Sequence, residues 1–161
     1  MDNTTKVAGA HVVFYRVLKT CCCEARHESV RAIMLCKRTQ DAPTHPGYWA
    51  LFGGKLNNAE ETPKDAAKRE VEEELGLILE ARRLEELGPP VCVARADGAC
   101  SIQYFHYLLD YDLDKLTLRP NRKGKVEGEG LGWFTAEEIH HLMVRPEDRI
   151  AVDNFFREHG T

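Results

Sequence analysis

Four glutamates occupy five consecutive positions in KREVEEELGL, residues 68–77: Glu70, Glu72, Glu73 and Glu74. At 3.6 residues per helical turn, Glu70, Glu73 and Glu74 fall on one face, while Glu72 points away. Val71 and Leu75 form a separate stripe suited to a core, and the small Ala66 and Ala67 leave room beside the acidic face. Like charges at this spacing repel by about 0.2–0.5 kcal/mol per pair. A hard divalent cation, which takes several oxygen ligands and also binds substrate phosphates, would offset that repulsion. An acidic face simply left in water is the competing explanation, and the helix alone does not separate the two. Upstream, Glu61 precedes Arg69 by eight residues, so a charge-assisted bond between them would pin the loop to the helix. Such a loop–helix–loop would hold a polyphosphate over metal ions.

The elements that must position these side chains are legible nearby. Thr62 is a good N-cap, Pro63 suits the first helical position, Asp65 sits in the first turn and Gly76 marks the end, which predicts a helix over residues 63–75. Strands are expected at 10–18 and 30–37, and YWALFGGK reads as a short strand ending in a double glycine. Further strands are expected at 78–87, 91–95 and 101–109. A basic, glycine-rich loop, a short strand or turn at Trp133–Phe134, a helix at 135–143 capped by Thr135 and a last helix at 146–159 complete the pattern. In that last helix Ile150 and Phe156 are expected to be buried. No repeat or low-complexity linker interrupts the chain, and one mixed α/β domain spanning 1–161 is expected.

The 161 residues suffice to bury a core, and 43% hydrophobic with 30% charged residues is the composition of a soluble globular protein. A net charge of −4 argues against a nucleic-acid polymer as partner. No uncharged run is long enough to cross a bilayer, so no membrane partner and a cytoplasmic location are expected. Of the six cysteines, Cys36, Cys92 and Cys100 lie in or beside apolar runs, where cysteine is a common small buried residue. Cys21, Cys22 and Cys23 lack the spacing of a zinc site, and a solvated hairpin tip with free thiols is expected there.

GGKLNNAEETPKDAAKREVEEELGL, residues 53–77, resembles the Nudix box of MutT-like hydrolases. From Glu61 to Leu77 the pattern fits in register through Glu61, Arg69, Glu70, Val71, Glu73, Glu74, Gly76 and Leu77. Gly54 departs from it, because six residues rather than five separate it from Glu61, and Phe52 stands where the pattern more often has proline. AIMLCKR and GEGLGWFTAEEI look like the family's strand before the box and its late tryptophan segment. The resemblance implies an α/β/α sandwich with a mixed β-sheet, the box forming its loop–helix–loop. It also implies Mg²⁺- or Mn²⁺-dependent hydrolysis of a nucleoside diphosphate linked to another group. Metals would neutralise the phosphates and lower the pKa of an attacking water.

By that resemblance Glu73 and Glu74 hold metal, Glu70 is a ligand or the general base, and Gly53 contributes a backbone ligand. Arg69 orients Glu61 and Glu73. A carboxylate before Trp133 serves as ligand or base, Glu127 first and Glu129 second. Arg38, Lys55 and Lys37 are candidates for phosphate contact. Asp148 is a candidate reader of the base edge, against the alternative of a helix N-terminal acid. Tyr48, Trp49, Phe52, Tyr104 and Phe105 are able to stack on a base, although strand aromatics mostly fill cores. The substrate expected first is a nucleoside triphosphate cleaved to monophosphate and pyrophosphate, with nucleotide sugars or dinucleoside polyphosphates second. A non-catalytic nucleotide-binding module is the reading from another class. The partner is a small nucleotide, and the chain is expected as a monomer or homodimer.

Overall fold

The computed structural model describes residues 6–19, 29–95, 98–121 and 123–160, so Cys21–Cys23 and their expected hairpin tip lie outside the described residues. In chain order the strands are β1 (Val7–Lys19), β2 (Ser29–Arg38), β3 (Trp49–Ala50) and β4 (Phe52–Lys55), followed by helix α1 (Pro63–Leu75). Then come β5 (Glu85–Glu86), β6 (Val91–Arg95), β7 (Gly98–Leu108), β8 (Gly128–Thr135), α2 (Ala136–Ile139) and α3 (Pro146–His159). All eight strands join one mixed sheet.

β1 is its axis. It pairs antiparallel with β2 (Tyr15 opposite Ile33) and with β4 (His11 opposite Gly53), and parallel with β7 (Val12 opposite Phe105). Successive side chains of a strand point to opposite faces, so β1 feeds two cores. On one face Val12 and Phe14 meet Ala66, Ala67, Val71 and Leu75 of α1, together with Met34 and Phe52. On the other, Val13 meets Ala151, Val152 and Phe155 of α3, with Ile33, Leu35, Tyr104 and Ile139 of α2. One helical layer covers each face, which is the α/β/α arrangement expected.

Five expectations need correction. Residues 78–87 do not form a strand: a 3₁₀ turn at Ala81–Arg83 precedes the two-residue β5. Leu79, Leu84 and Leu87 are buried as separate anchors while Ile78 is exposed, because the edge of β7 offers partners only to Glu85 and Glu86 before β6 takes over. The strand around Trp133 starts at Gly128, since β2 runs on beside it from Ala32 to Arg38. Helix α2 closes at Ile139 under a complete Thr135–Glu138 capping box, shorter than expected. In α3 the buried stripe is Asp148, Ala151, Val152 and Phe155, which leaves Ile150 exposed and Phe156 half-buried. Cys92 is exposed rather than buried. No helix among the described residues is long and apolar enough to cross a membrane.

Candidate active site

Helix α1 starts and stops where its caps place it. The Thr62 hydroxyl oxygen accepts the Asp65 N–H at 3.1 Å, and Gly76, at φ 70°, donates its N–H to Glu72 O at 2.9 Å. With Ala66, Ala67, Val71 and Leu75 packed on the sheet, Glu70, Glu73 and Glu74 line a cavity with Arg38, Ala50, Leu51, Phe52, Leu118, Arg119, Asn121 and Glu127. Arg69 ties this face to the preceding loop. Its Nε and Nη2 donate to the two oxygens of Glu61 at 2.8 and 3.2 Å, its Nη1 to Glu70 Oε1 at 2.7 Å, and its Nη2 also to Lys55 O at 3.0 Å. Glu73 lies 3.8 Å from Nη1. The guanidinium beside it holds the Glu61 carboxyl below its usual range.

The extra residue between Gly54 and Glu61 is absorbed locally. Asn58 Oδ1 accepts the N–H groups of both Glu60 and Glu61 at 2.9 Å, a side-chain-closed turn that delivers Glu61 to Arg69 in register. The double glycine lets the box helix approach the sheet. A Cβ on Gly54 would stand 2.5–2.8 Å from the Glu70 carboxyl, and Gly53, at φ 138°, would place one 2.2 Å from Ala10 O. Gly53 meets the site through its N–H, which donates to Glu74 Oε2 at 3.3 Å.

Electrostatically the cavity is acidic at its floor. Burial pushes the Glu74 carboxyl up to about 8, repulsion from Glu70 and Glu127 adds to the shift, and the Gly53 N–H and Arg145 pull against it. Glu127 sits at the exposed mouth, where its Oε1 accepts Asn121 Nδ2–H at 2.7 Å. Glu129 turns elsewhere, accepting the Gln40 N–H at 3.1 Å.

This donor set fits a hard divalent cation: Glu70, Glu73, Glu74 and Glu127 present only carboxylate oxygens to one cavity. Among the described residues no three such side chains are yet drawn together around a single point. Glu70 leans to Arg69 and Glu74 to the Gly53 N–H, each toward its own partner.

The residues expected to contact phosphate divide. Lys55 is exposed at the end of β4 and lines a different opening with Lys6 and Asn58. Arg38 lines the cavity, with its Nε on Thr44 O at 3.0 Å, whereas Lys37, on the opposite face by strand alternation, does not.

Asp148, the candidate reader of a base edge, is fully buried and does not line the cavity. Its oxygens accept the Leu51 N–H at 3.0 Å, the Tyr104 hydroxyl at 3.1 Å, and Arg145 Nε and Nη2 at 2.9 and 3.0 Å. His11 Nδ1 lies 3.0 Å from Oδ1. Burial raises the Asp148 carboxyl, but Arg145 and His11 outweigh it and hold it well below the usual range. Tyr104, Phe105 and Phe52 are core, Trp49 packs edge-on to Phe134 at 4.7 Å and Tyr48 edge-on to His45 at 5.3 Å; of the five aromatics Phe52 alone lines the cavity. The sequence reading passed over Cys36, Leu118, Arg119 and Asn121. Only Asn121, opening a turn before Gly124, carried a local signal.

Comparison with known proteins agrees with this geometry. A NUDIX-domain family model matches residues 18–155. The nucleoside triphosphatase NudI of Enterobacter sp. (strain 638) is 31% identical over 122 residues, covering 74% of this chain and 84% of the relative. The MutT protein from Methanosarcina mazei Go1 superposes over 100% of both chains with a TM-score of 0.68 at 18% identity. The NUDIX domain of Shewanella oneidensis NrtR, solved with ADP ribose, gives 0.67 at 15% identity over 98% of this chain and 90% of that one. The chain belongs to the NUDIX family. It is an enzyme, a hydrolase of phosphorus-containing anhydrides.

Proposed function

We propose that the chain is a Mg²⁺-dependent nucleoside triphosphate pyrophosphohydrolase, releasing a nucleoside monophosphate and pyrophosphate. The observation that carries this reading is the single cavity that sets four carboxylates beside an apolar wall of Ala50, Leu51, Phe52 and Leu118, with Arg38 and Arg119 bordering it. The wall suits a base, and the guanidinium groups suit phosphate oxygens. The similarity to nucleoside triphosphatases supports the choice of triphosphate. A bound Mg²⁺, held by Glu70, Glu73 and Glu74, would neutralise phosphate charge and acidify a bound water.

This chain's own part is positioning and proton transfer. Arg69 fixes Glu70 and Glu61, and the Gly53 N–H aims Glu74. Glu127, exposed and held among the described residues through one oxygen, is the general base. As the water oxygen bonds to phosphorus, Glu127 takes its proton, the bond to the leaving pyrophosphate oxygen breaks, and pyrophosphate departs with the electron pair. Glu70, occupied by Arg69, is less able to accept that proton.

The test is a hydrolysis screen with Mg²⁺ over nucleoside triphosphates, nucleotide sugars and dinucleoside polyphosphates, with Glu73→Gln/Glu74→Gln alongside. Monophosphate and pyrophosphate from triphosphates, abolished in the variant, is the expected result. Turnover confined to the sugars or dinucleotides would replace the substrate. Nucleotide binding with no turnover in any class would favour a binding module.

A further inference from the structure

The loop that carries Glu127 is folded around one side chain. Asn121 Oδ1 accepts the N–H groups of Lys123 at 2.9 Å and Lys125 at 3.1 Å. Its backbone N–H donates to Lys125 O and its carbonyl accepts the Gly124 N–H, both at 2.8 Å. With Oδ1 committed to two backbone donors, the other edge of the amide is the NH₂ group. That edge faces the cavity and donates to Glu127 Oε1 at 2.7 Å.

The turn by itself requires only an acceptor at 121, which aspartate supplies equally well. The donor has a different use: it meets the one carboxylate on this loop that lines the cavity. The loop is itself anchored, since Lys125 Nζ lies 2.7 Å from Asp41 Oδ2 and the Thr39 N–H donates to Glu127 O at 3.4 Å. Glu127 is therefore held at main chain and side chain. Among the described residues nothing bonds its Oε2, which is left for the attacking water.

We propose that Asn121 is the positioning residue of the general base: its amide fixes the rotation of the Glu127 carboxyl so that Oε2 faces the water. The inference rests on the reading of Glu127 as the base. It follows the arrangement in which a base is oriented by a third group behind it. Asn121 touches neither water nor phosphate in this role and acts through Glu127 alone.

Asn121→Asp keeps the turn's acceptor, removes the donor and sets a like charge against Glu127. It is measured with Glu127→Gln and the double variant for kcat, KM and Tm at saturating Mg²⁺. Asn121→Ser, which also retains an oxygen for the turn, stands in if the aspartate variant does not fold. The expected result is a kcat lower by about 10–100-fold, in the range that misplacement of a reacting group produces. KM should stay within about twofold and Tm close to wild type. In the Glu127→Gln background the same substitution should change kcat less than about twofold, since effects of groups that act as one unit do not multiply.

Three results would overturn the proposal. A wild-type kcat in Asn121→Asp beside a crippled Glu127→Gln would remove Asn121 and leave the base in place. Losses that multiply in the double variant would show action through the fold instead. Full activity in Glu127→Gln would remove the base, and Asn121's role with it.

Discussion

Replacing Asp148 should cost stability first and activity second, and the size of the loss follows from its surroundings. The carboxylate is fully enclosed and receives Arg145, the Tyr104 hydroxyl and the Leu51 N–H, with His11 alongside. In Asp148→Ala the Arg145 guanidinium, whose side chain is 13% exposed, retains Glu147, at 3.3 Å, and the His11 ring, whose Nδ1 lies 2.9 Å from Nη2. Breaking a buried pair by removing one partner costs about 3–5 kcal/mol, and each donor stripped of its acceptor adds about 1–3 before relaxation. These contributions overlap, so a loss of about 4 kcal/mol is expected for alanine, and about half of that for asparagine, which keeps one acceptor. In urea at pH 7, with a slope of about 2 kcal/mol per molar, the alanine midpoint should fall by about 2 M.

The pH dependence provides a second check. A carboxyl held below its ordinary value of 3.8 stabilises the protein above that pH and loses the contribution as the pH falls toward its folded value. The gap between wild type and Asp148→Asn should therefore narrow below about pH 4. A loss under about 1 kcal/mol at pH 7 would mean that water reaches the four donors. A gap that stays constant into acid would mean that charge is not what holds them.

Three further outcomes complete the set. With the Glu74 carboxyl near 8, about 1% is ionised at pH 6 and half at pH 8, so Mn²⁺ affinity in a titration should rise about 50-fold over that interval. In the metal-free protein the same raised value means stability lost as pH climbs from 4.5 through 8, and Glu74→Gln should flatten both trends. Gly53→Ala puts a Cβ 2.2 Å from Ala10 O at a φ of 138°, so β4 must separate from β1, at an expected cost of at least about 2 kcal/mol by thermal unfolding. If Gly53→Ala melts like wild type, the strand junction is looser than drawn.

What the sequence made legible was local. Thr62, Pro63 and Gly76 bracket α1 in consecutive chain, and Glu61 meets Arg69 across one short loop, so spacing alone placed them. The extra loop residue leaves the path from Gly54 to Glu61 open in the sequence, and Asn58, three positions before Glu61, closes it. Asp148 does sit in the first turn of its helix, beside Arg145, but its other partners lie at positions 11, 51 and 104, which no window contains. The same acid hid the buried stripe of α3: counting only apolar residues moved the expected stripe onto Ile150, which is exposed. Residues 78–87 show apolar residues at intervals that suit a strand, but leucines at 79, 84 and 87 bury singly against a sheet edge already claimed. Asn121 announced a turn and gave no hint of the carboxylate beyond it.

The parallel pairing of β1 with β7 bears on the order in which the molecule assembles. Val7 lies opposite Ser101 and Tyr15 opposite Leu108, so the central strand is made well before its parallel neighbour. Closing so large a loop precedes any return in contacts, which makes such pairings slow. β1, β2, β4 and α1 are able to gather as an early half-sheet, with the edge later taken by β7 open and the glutamates already on their helix. Glu127 and its loop come after β7. The proposed metal ligands thus precede the proposed base during synthesis, and the exposed edge of β1 is the place where a stalled or truncated chain would recruit a second copy.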